Sequence, residues 1–120
     1  VCAGFPSPAD DYVAATLDLN EHLIVHKEAT FFLRAAGHSM IGAGIHDGDL
    51  LVVDRSVTPR HGAVVIAVVD GEFTVKRLDK RAGRIRLLAE NPEYAPIEFG
   101  EGQELQVWGV VTSVIHRLAP

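Results

Sequence analysis

Two residues of this chain, Ser39 and Lys76, have side chains that together could act as a nucleophile and its general base. Ser39 lies among three glycines in residues 37–44, and glycines beside a hydroxyl can expose it and free N–H groups for an oxyanion. Lys76 lies in the middle of a predicted strand, residues 72–78, among apolar neighbours whose desolvation would lower its pKa. A neutral lysine amine can take a proton from serine, which an arginine cannot do. The pair is therefore a candidate nucleophile and base.

Each of these residues also has an ordinary explanation. Glycine is common in turns, so spacing alone favours a plain glycine-rich turn around Ser39. A lysine in the middle of a strand is a common device against edge-to-edge pairing, so Lys76 fits a solvated edge strand. Spacing alone leaves both explanations open.

The other candidate nucleophiles and bases have weaker settings. His38 adjoins Ser39, but neighbouring side chains in an extended chain point apart. His22 and His26 are spaced i, i+4 on a predicted helix and could hold zinc, but no third ligand is evident. We therefore predict no metal site and no cofactor. The remaining serines and histidines fall in a proline-rich arm, in turns, on the surface or in an apolar strand: Ser7, Ser56, Ser113, His46, His61 and His116.

Hydrophobic patterning predicts a mostly β, compact, twisted and antiparallel-rich fold around these residues. The chain has 15 Val and 7 Ile among 120 residues, and β-branched side chains fit pleated surfaces. A capping-box-like start at Asp18 predicts one short helix over residues 18–26. Tight turns are predicted at residues 47–48, 70–71 and 82–83, and a longer loop at 91–96. Six strands are predicted, over residues 30–36, 49–54, 63–69, 72–78, 84–89 and 105–117.

The chain is expected to form an arm and one domain. Prolines in residues 1–12 favour an extended N-terminal arm, and residues 13–120 suffice for one domain with a real core. The long apolar strand at 105–117 would expose an edge or face that needs a partner, so we predict a two-fold homodimer through it.

Charge and composition exclude several functional classes. Lys and Arg number 11 against 16 Asp and Glu, and the net charge of −5 argues against direct, sequence-specific DNA binding or an anionic membrane surface. One cysteine rules out an internal disulfide, and no apolar run reaches membrane-spanning length. We therefore expect a soluble, cytoplasmic protein.

Three ordered segments resemble the serine and lysine motifs of the self-cleaving LexA/UmuD peptidase family, namely residues 37–40, 47–54 and 71–78. Residues 2–12 are similar to the cleavage-site segment of UmuD- and MucA-type mutagenesis proteins, with Ala3 and Gly4 as the scissile pair. The resemblance runs from residue 2 to about residue 116. It implies that Ser39 and Lys76 are a catalytic dyad, 37 residues apart, in a mostly β peptidase domain.

The resemblance also implies a biological role. Members of this family cleave themselves during the bacterial SOS response, stimulated by RecA filaments on single-stranded DNA. The shortened product would be a homodimeric accessory subunit of an error-prone translesion polymerase. Two alternatives remain: the C-terminal self-cleavage domain of a LexA-like repressor, and a non-enzymatic β interaction domain.

Overall fold

The computed structural model describes residues 3–6, 16, 18–100 and 102–120, and its main element is a β-sheet. Seven strands form one sheet in the order β1-β2-β7-β3-β4-β5-β6, and every neighbouring pair is antiparallel. The predicted mostly β, antiparallel fold is confirmed. The strands are β1 (Thr30–Arg34), β2 (Leu50–Asp54), β3 (Val64–Val69), β4 (Glu72–Arg81), β5 (Arg84–Leu88), β6 (Ile97–Glu98) and β7 (Gln106–Ile115).

Six of these strands fall where the sequence predicts them, whereas β6 lies just after the predicted loop at residues 91–96, where no strand is predicted. β6 has only two residues and follows Pro96, so its side-chain pattern is too short to show alternation. It exists because Ile97 pairs with Leu87 and Glu98 pairs with Arg86 on β5. Tertiary pairing rather than local preference therefore makes this strand.

The single α-helix in the described residues is shorter than predicted. Helix α1 spans Leu19–Leu23, and the Asp18 carboxylate caps it by accepting a hydrogen bond from the Asn20 N–H at 2.9 Å. The cap is the one anticipated from sequence. The helix ends early because Ile24 is already extended, and a 3-10 turn follows at Lys27–Ala29.

Two of the three predicted tight turns join neighbouring strands directly. Asp70 and Gly71 both have positive φ (51° and 77°) between β3 and β4, and Ala82 and Gly83 repeat this geometry between β4 and β5. The pair at residues 47–48 does not form such a hairpin. It precedes β2 at the end of a long connection from β1, and this connection carries Ser39.

Strand β7 is internal to the sheet, because it pairs with β2 on one side and β3 on the other. Of the edge or face that residues 105–117 are predicted to offer to a partner, the edge is therefore not available. Any interface that uses β7 would have to use a face of the sheet rather than backbone pairing.

Two hydrophobic clusters fill the fold. The first joins the connection after β1 to β2 and β3, and the second joins β3, β4, β5 and β7. Of the predicted arm, the structure describes residues 3–6, which are exposed; its other residues lie outside the described part. No helix in the part of the chain that the structure covers is long and apolar enough to span a membrane.

Candidate active site

Ser39 lies in a turn after β1, and neighbouring residues of this turn pack in the hydrophobic core. The next residue, Met40, is 1% exposed and packs in the first hydrophobic cluster with Ala35. Gly37 has φ of +86°, a left-handed conformation that side chains disfavour, and its N–H donates to the Asp47 carboxylate at 2.8 Å. A buried methionine on one side and a glycine bend on the other therefore fix where the Ser39 hydroxyl lies.

Lys76 lies in the middle of β4 and is buried, with 9% of its surface exposed. The alternative of a solvated edge lysine therefore does not hold. Its ammonium nitrogen has two acceptors besides Ser39: Thr74 Oγ1 at 2.9 Å and the Val75 carbonyl at 3.1 Å. Thr74 is two residues before Lys76 on the same strand face, so strand alternation could have identified it.

The Lys76 nitrogen lies 3.1 Å from Ser39 Oγ, within hydrogen-bond distance. Burial lowers the pKa of Lys76 from its ordinary value of 10.5, because the apolar surroundings disfavour the ammonium. No carboxylate among the described residues forms a salt bridge with Lys76 that would oppose this effect. A neutral amine would donate its two protons to Thr74 and Val75 and direct its lone pair at the serine hydroxyl.

An open cleft of about 370 Å³ leads to this pair. One wall is the segment from Leu33 to Ser39, and the other is Phe73–Lys76 of β4, with Tyr94 at the side. Strand β5 pairs only with Arg77–Arg81, so the β4 edge along residues 72–76 has no strand partner within the described ranges. The cleft therefore combines a reactive pair with unpaired strand backbone.

The segment after β5 braces the serine turn, which the sequence did not reveal. Asn91 donates from Nδ2 to the His38 carbonyl at 2.9 Å, and Glu90 N–H donates to the Ser39 carbonyl at 2.8 Å. These contacts involve backbone atoms of the turn, so the side-chain pattern of the sequence does not predict them. His38 itself is exposed and lines the cleft, but the nitrogen nearest to Ser39 Oγ in the hydrogen-bond network is that of Lys76.

The rival serine and histidines make other contacts. Ser56 donates its hydroxyl to Asp54 at 2.7 Å, and His26 contacts the second oxygen of the same carboxylate at 2.6 Å. Because the aspartate lies between them, the histidine does not serve Ser56 as a base. His22 is in α1 while His26 lies beyond its end, so the predicted i, i+4 helical pair does not form.

The predicted scissile residues, Ala3 and Gly4, are both exposed and are not among the residues that line the cleft. Nothing within 4 Å would obstruct a side chain at Gly4. In this conformation Ala3 and Gly4 are therefore accessible and do not line the cleft that leads to Ser39.

Comparison with known proteins agrees with this site. Residues 1–112 match the Peptidase S24-like family. ImpA of Salmonella typhimurium is 52% identical over 116 residues, covering 96% of this chain and 78% of that protein. MucA of Escherichia coli is 46% identical, covering 93% and 77%. The LexA repressor of Ectopseudomonas mendocina is 42% identical over 98% of this chain but only 57% of the repressor.

These relatives confirm the predicted kinship with UmuD- and MucA-type SOS mutagenesis proteins and the predicted peptidase class. The family match extends through the serine turn, the cleft and β4, which are the elements that the geometry singles out. On the extent of that match and the identity of its relatives, the chain belongs to the Peptidase S24-like family.

Proposed function

We propose that this protein is a self-cleaving serine peptidase in which Ser39 is the nucleophile and Lys76 is the general base. The observation that carries the proposal is the 3.1 Å approach of the buried lysine nitrogen to the serine hydroxyl, at the end of an open cleft. The lowered pKa of Lys76 increases the fraction of neutral amine at physiological pH.

The reaction proceeds by acyl transfer. Lys76 takes the hydroxyl proton as Ser39 Oγ attacks the Ala3 carbonyl, and the Ser39 N–H is our choice of donor to the resulting oxyanion. Lys76 then returns the proton to the Gly4 nitrogen, the peptide bond breaks, and an ester joins Ala3 to Ser39. Water hydrolyses the ester with Lys76 again acting as base, which restores the free serine.

The substrate segment would enter as an added strand. The unpaired β4 edge along residues 72–76 offers backbone donors and acceptors, and prolines keep the arm extended enough to pair with it. Ala3 and Gly4 are small, which suits a shallow pocket between Leu33 and Phe73. Because arm and enzyme belong to one molecule, or to two copies in a dimer, their effective concentration is high.

The wider role follows from kinship with the SOS mutagenesis proteins. We place the protein in the bacterial cytoplasm, where a RecA filament on single-stranded DNA stimulates cleavage and the shortened homodimer serves an error-prone translesion polymerase. The net charge of −5 favours contacts with these proteins rather than with DNA itself.

A second candidate function is the self-cleavage domain of a LexA-like repressor, which the 42% identity to a LexA repressor favours. The chemistry of Ser39 and Lys76 would be the same in both. The gene sequence upstream of Val1 separates them, because a repressor would encode a helix-turn-helix domain there.

Mass spectrometry of the chain carrying a short tag before Val1 tests the peptidase proposal. Incubation at alkaline pH should yield a product that begins at Gly4, and Ser39→Ala should abolish it. Lys76→Arg should also be inactive, since it keeps the charge but cannot deprotonate. Ala3→Trp and Gly4→Pro should block cleavage with an unchanged circular dichroism spectrum, because they misplace the scissile carbonyl. Cleavage by Lys76→Arg at the wild-type rate would refute the dyad.

A further inference from the structure

A cluster of two imidazoles and one carboxylate lies apart from the Ser39 and Lys76 pair. His116 Nδ1 is 2.5 Å from Asp49 Oδ1, and His46 Nδ1 is 3.6 Å from Asp49 Oδ2. The two imidazole rings are neighbours, with centroids 4.8 Å apart. One ligand atom from each of the three residues lies within 4.8 Å of the other two.

Strand register builds this cluster from distant parts of the chain. Leu50 of β2 pairs with Ile115 of β7, so the residues adjoining this pair, Asp49 and His116, meet at the same end of the sheet. The Asp49 carboxylate is buried, and it accepts a hydrogen bond from the backbone N–H of His46 at 2.7 Å. The carboxylate is therefore fixed, while the two histidine rings are about half exposed and accessible to an ion.

In the described residues, two other aspartates also contact a histidine, but neither contacts a second imidazole. Asp54 contacts one imidazole, that of His26, and its other oxygen accepts from Ser56. Asp79 is near His61, but two arginines occupy its oxygens. Asp49 alone among these three carboxylates faces two imidazoles.

We propose that His46, Asp49 and His116 form a binding site for a divalent transition-metal ion of the zinc type. Imidazole nitrogens and a carboxylate suit such ions, whereas magnesium and calcium prefer oxygen ligands throughout. Ligands at about 2.0–2.2 Å from zinc in a tetrahedron are about 3.3–3.6 Å apart. The 3.6 Å between His46 and Asp49 falls at the upper end of that range, and the 2.5 Å between His116 and Asp49 is shorter because these two atoms are in hydrogen-bond contact. Small rotations of the half-exposed rings would therefore suffice, and water would complete the coordination.

The site departs from the sequence-based prediction that the protein has no metal site. His46 and His116 look like unrelated surface residues in the sequence, since only the pairing of β2 with β7 brings them together. A bound ion would cross-link the end of β7 to the loop before β2. That loop contacts the segment leading to Ser39, through the Ala35 N–H and the Asp49 carbonyl at 2.8 Å.

Isothermal titration of the tag-free Cys2→Ser protein with ZnCl₂ tests the proposal, since that background removes the one thiol. We expect one equivalent of zinc to bind and the melting temperature to rise, with MgCl₂ producing neither effect. His46→Ala and His116→Ala should each weaken zinc binding by about tenfold or more, because each removes a ligand. Circular dichroism confirms that the variants remain folded.

His26→Ala is the matched control, because it removes an imidazole that contacts a buried aspartate at similar distance but has no second imidazole beside it. It should bind zinc with wild-type affinity. The proposal fails if the wild-type protein shows no saturable zinc binding. It also fails if His46→Ala and His116→Ala bind as tightly as wild type, or if His26→Ala alone loses binding. Because the readouts are affinity and melting temperature, this result is independent of whether the protein cleaves itself.

Discussion

Glu90 links the serine turn to the strand that carries Lys76, because its backbone N–H donates to the Ser39 carbonyl at 2.8 Å while its side chain accepts from Arg77 Nε at 2.6 Å. Arg77 directly follows Lys76 on β4. One residue therefore contacts the serine turn and the lysine strand at once. The Glu90 carbonyl also accepts from the Gly42 N–H at 2.8 Å, which closes the turn on its far side.

Gly42→Ala is expected to slow self-cleavage by about tenfold, corresponding to a misplacement costing about 1.4 kcal/mol. A Cβ at this position would lie 2.7 Å from the Glu90 carbonyl oxygen, so the serine turn must shift. Rates of appearance of the Gly4 product, measured beside thermal melts, test this. Gly100→Ala is the control, since its Cβ would lie no nearer than 3.4 Å to Gln103 and Gly100 does not line the cleft. Equal rates in both variants would contradict a role for the turn.

The pH profile of cleavage should report Lys76. Because burial lowers the pKa of Lys76, the rate should rise with pH and level off below 10.5, the ordinary lysine value. Single-turnover rates measured between pH 6 and pH 10.5 would show this plateau. A rise centred near pH 6.5 that disappears in His38→Gln would instead identify a histidine base.

Thr74→Val should reduce the cleavage rate by about ten- to a hundredfold without unfolding the protein. The substitution preserves shape but removes the hydroxyl that accepts from Lys76 at 2.9 Å, so the amine loses one of the contacts that direct it at Ser39. The position of the pH plateau should also move, which a purely structural defect would not cause. Thr112→Val on β7 serves as control, because it removes a hydroxyl that donates to the Val52 carbonyl at 3.3 Å but does not line the cleft. Wild-type kinetics in Thr74→Val would show that Lys76 is oriented without Thr74.

The free energy of unfolding should increase with pH in the alkaline range because of Lys76. Its folded pKa is lowered, so between that pKa and 10.5 the unfolded chain binds more protons than the folded chain. Burial of Lys76 therefore lowers the free energy of unfolding below the folded pKa, and this loss of stability disappears as the pH rises from the folded pKa to 10.5. Lys76→Met should flatten the increase, as urea unfolding at several pH values can measure. Lys80→Met, at an exposed position on the same strand, should retain the wild-type slope.

The sequence by itself determined the β character of the chain and the bounds of most strands, because alternating β-branched residues and turn glycines are local signals. The helix cap at Asp18 is also a local signal, because it depends on a few adjacent residues. The same holds for the turns at Asp70 and Ala82. The residue types and setting of Ser39 and Lys76 were also sufficient to name them as candidates.

Tertiary structure decided what local signals could not encode. It buried Lys76 and brought it to 3.1 Å from Ser39, where the sequence alone allowed a solvated edge lysine. It placed β7 inside the sheet, and it created β6 from two residues that pair with β5. The brace from Glu90 and the meeting of His46 with His116 likewise depend on backbone contacts and strand register. Such contacts join residues far apart in the chain, so no short window of sequence contains the energy that selects them.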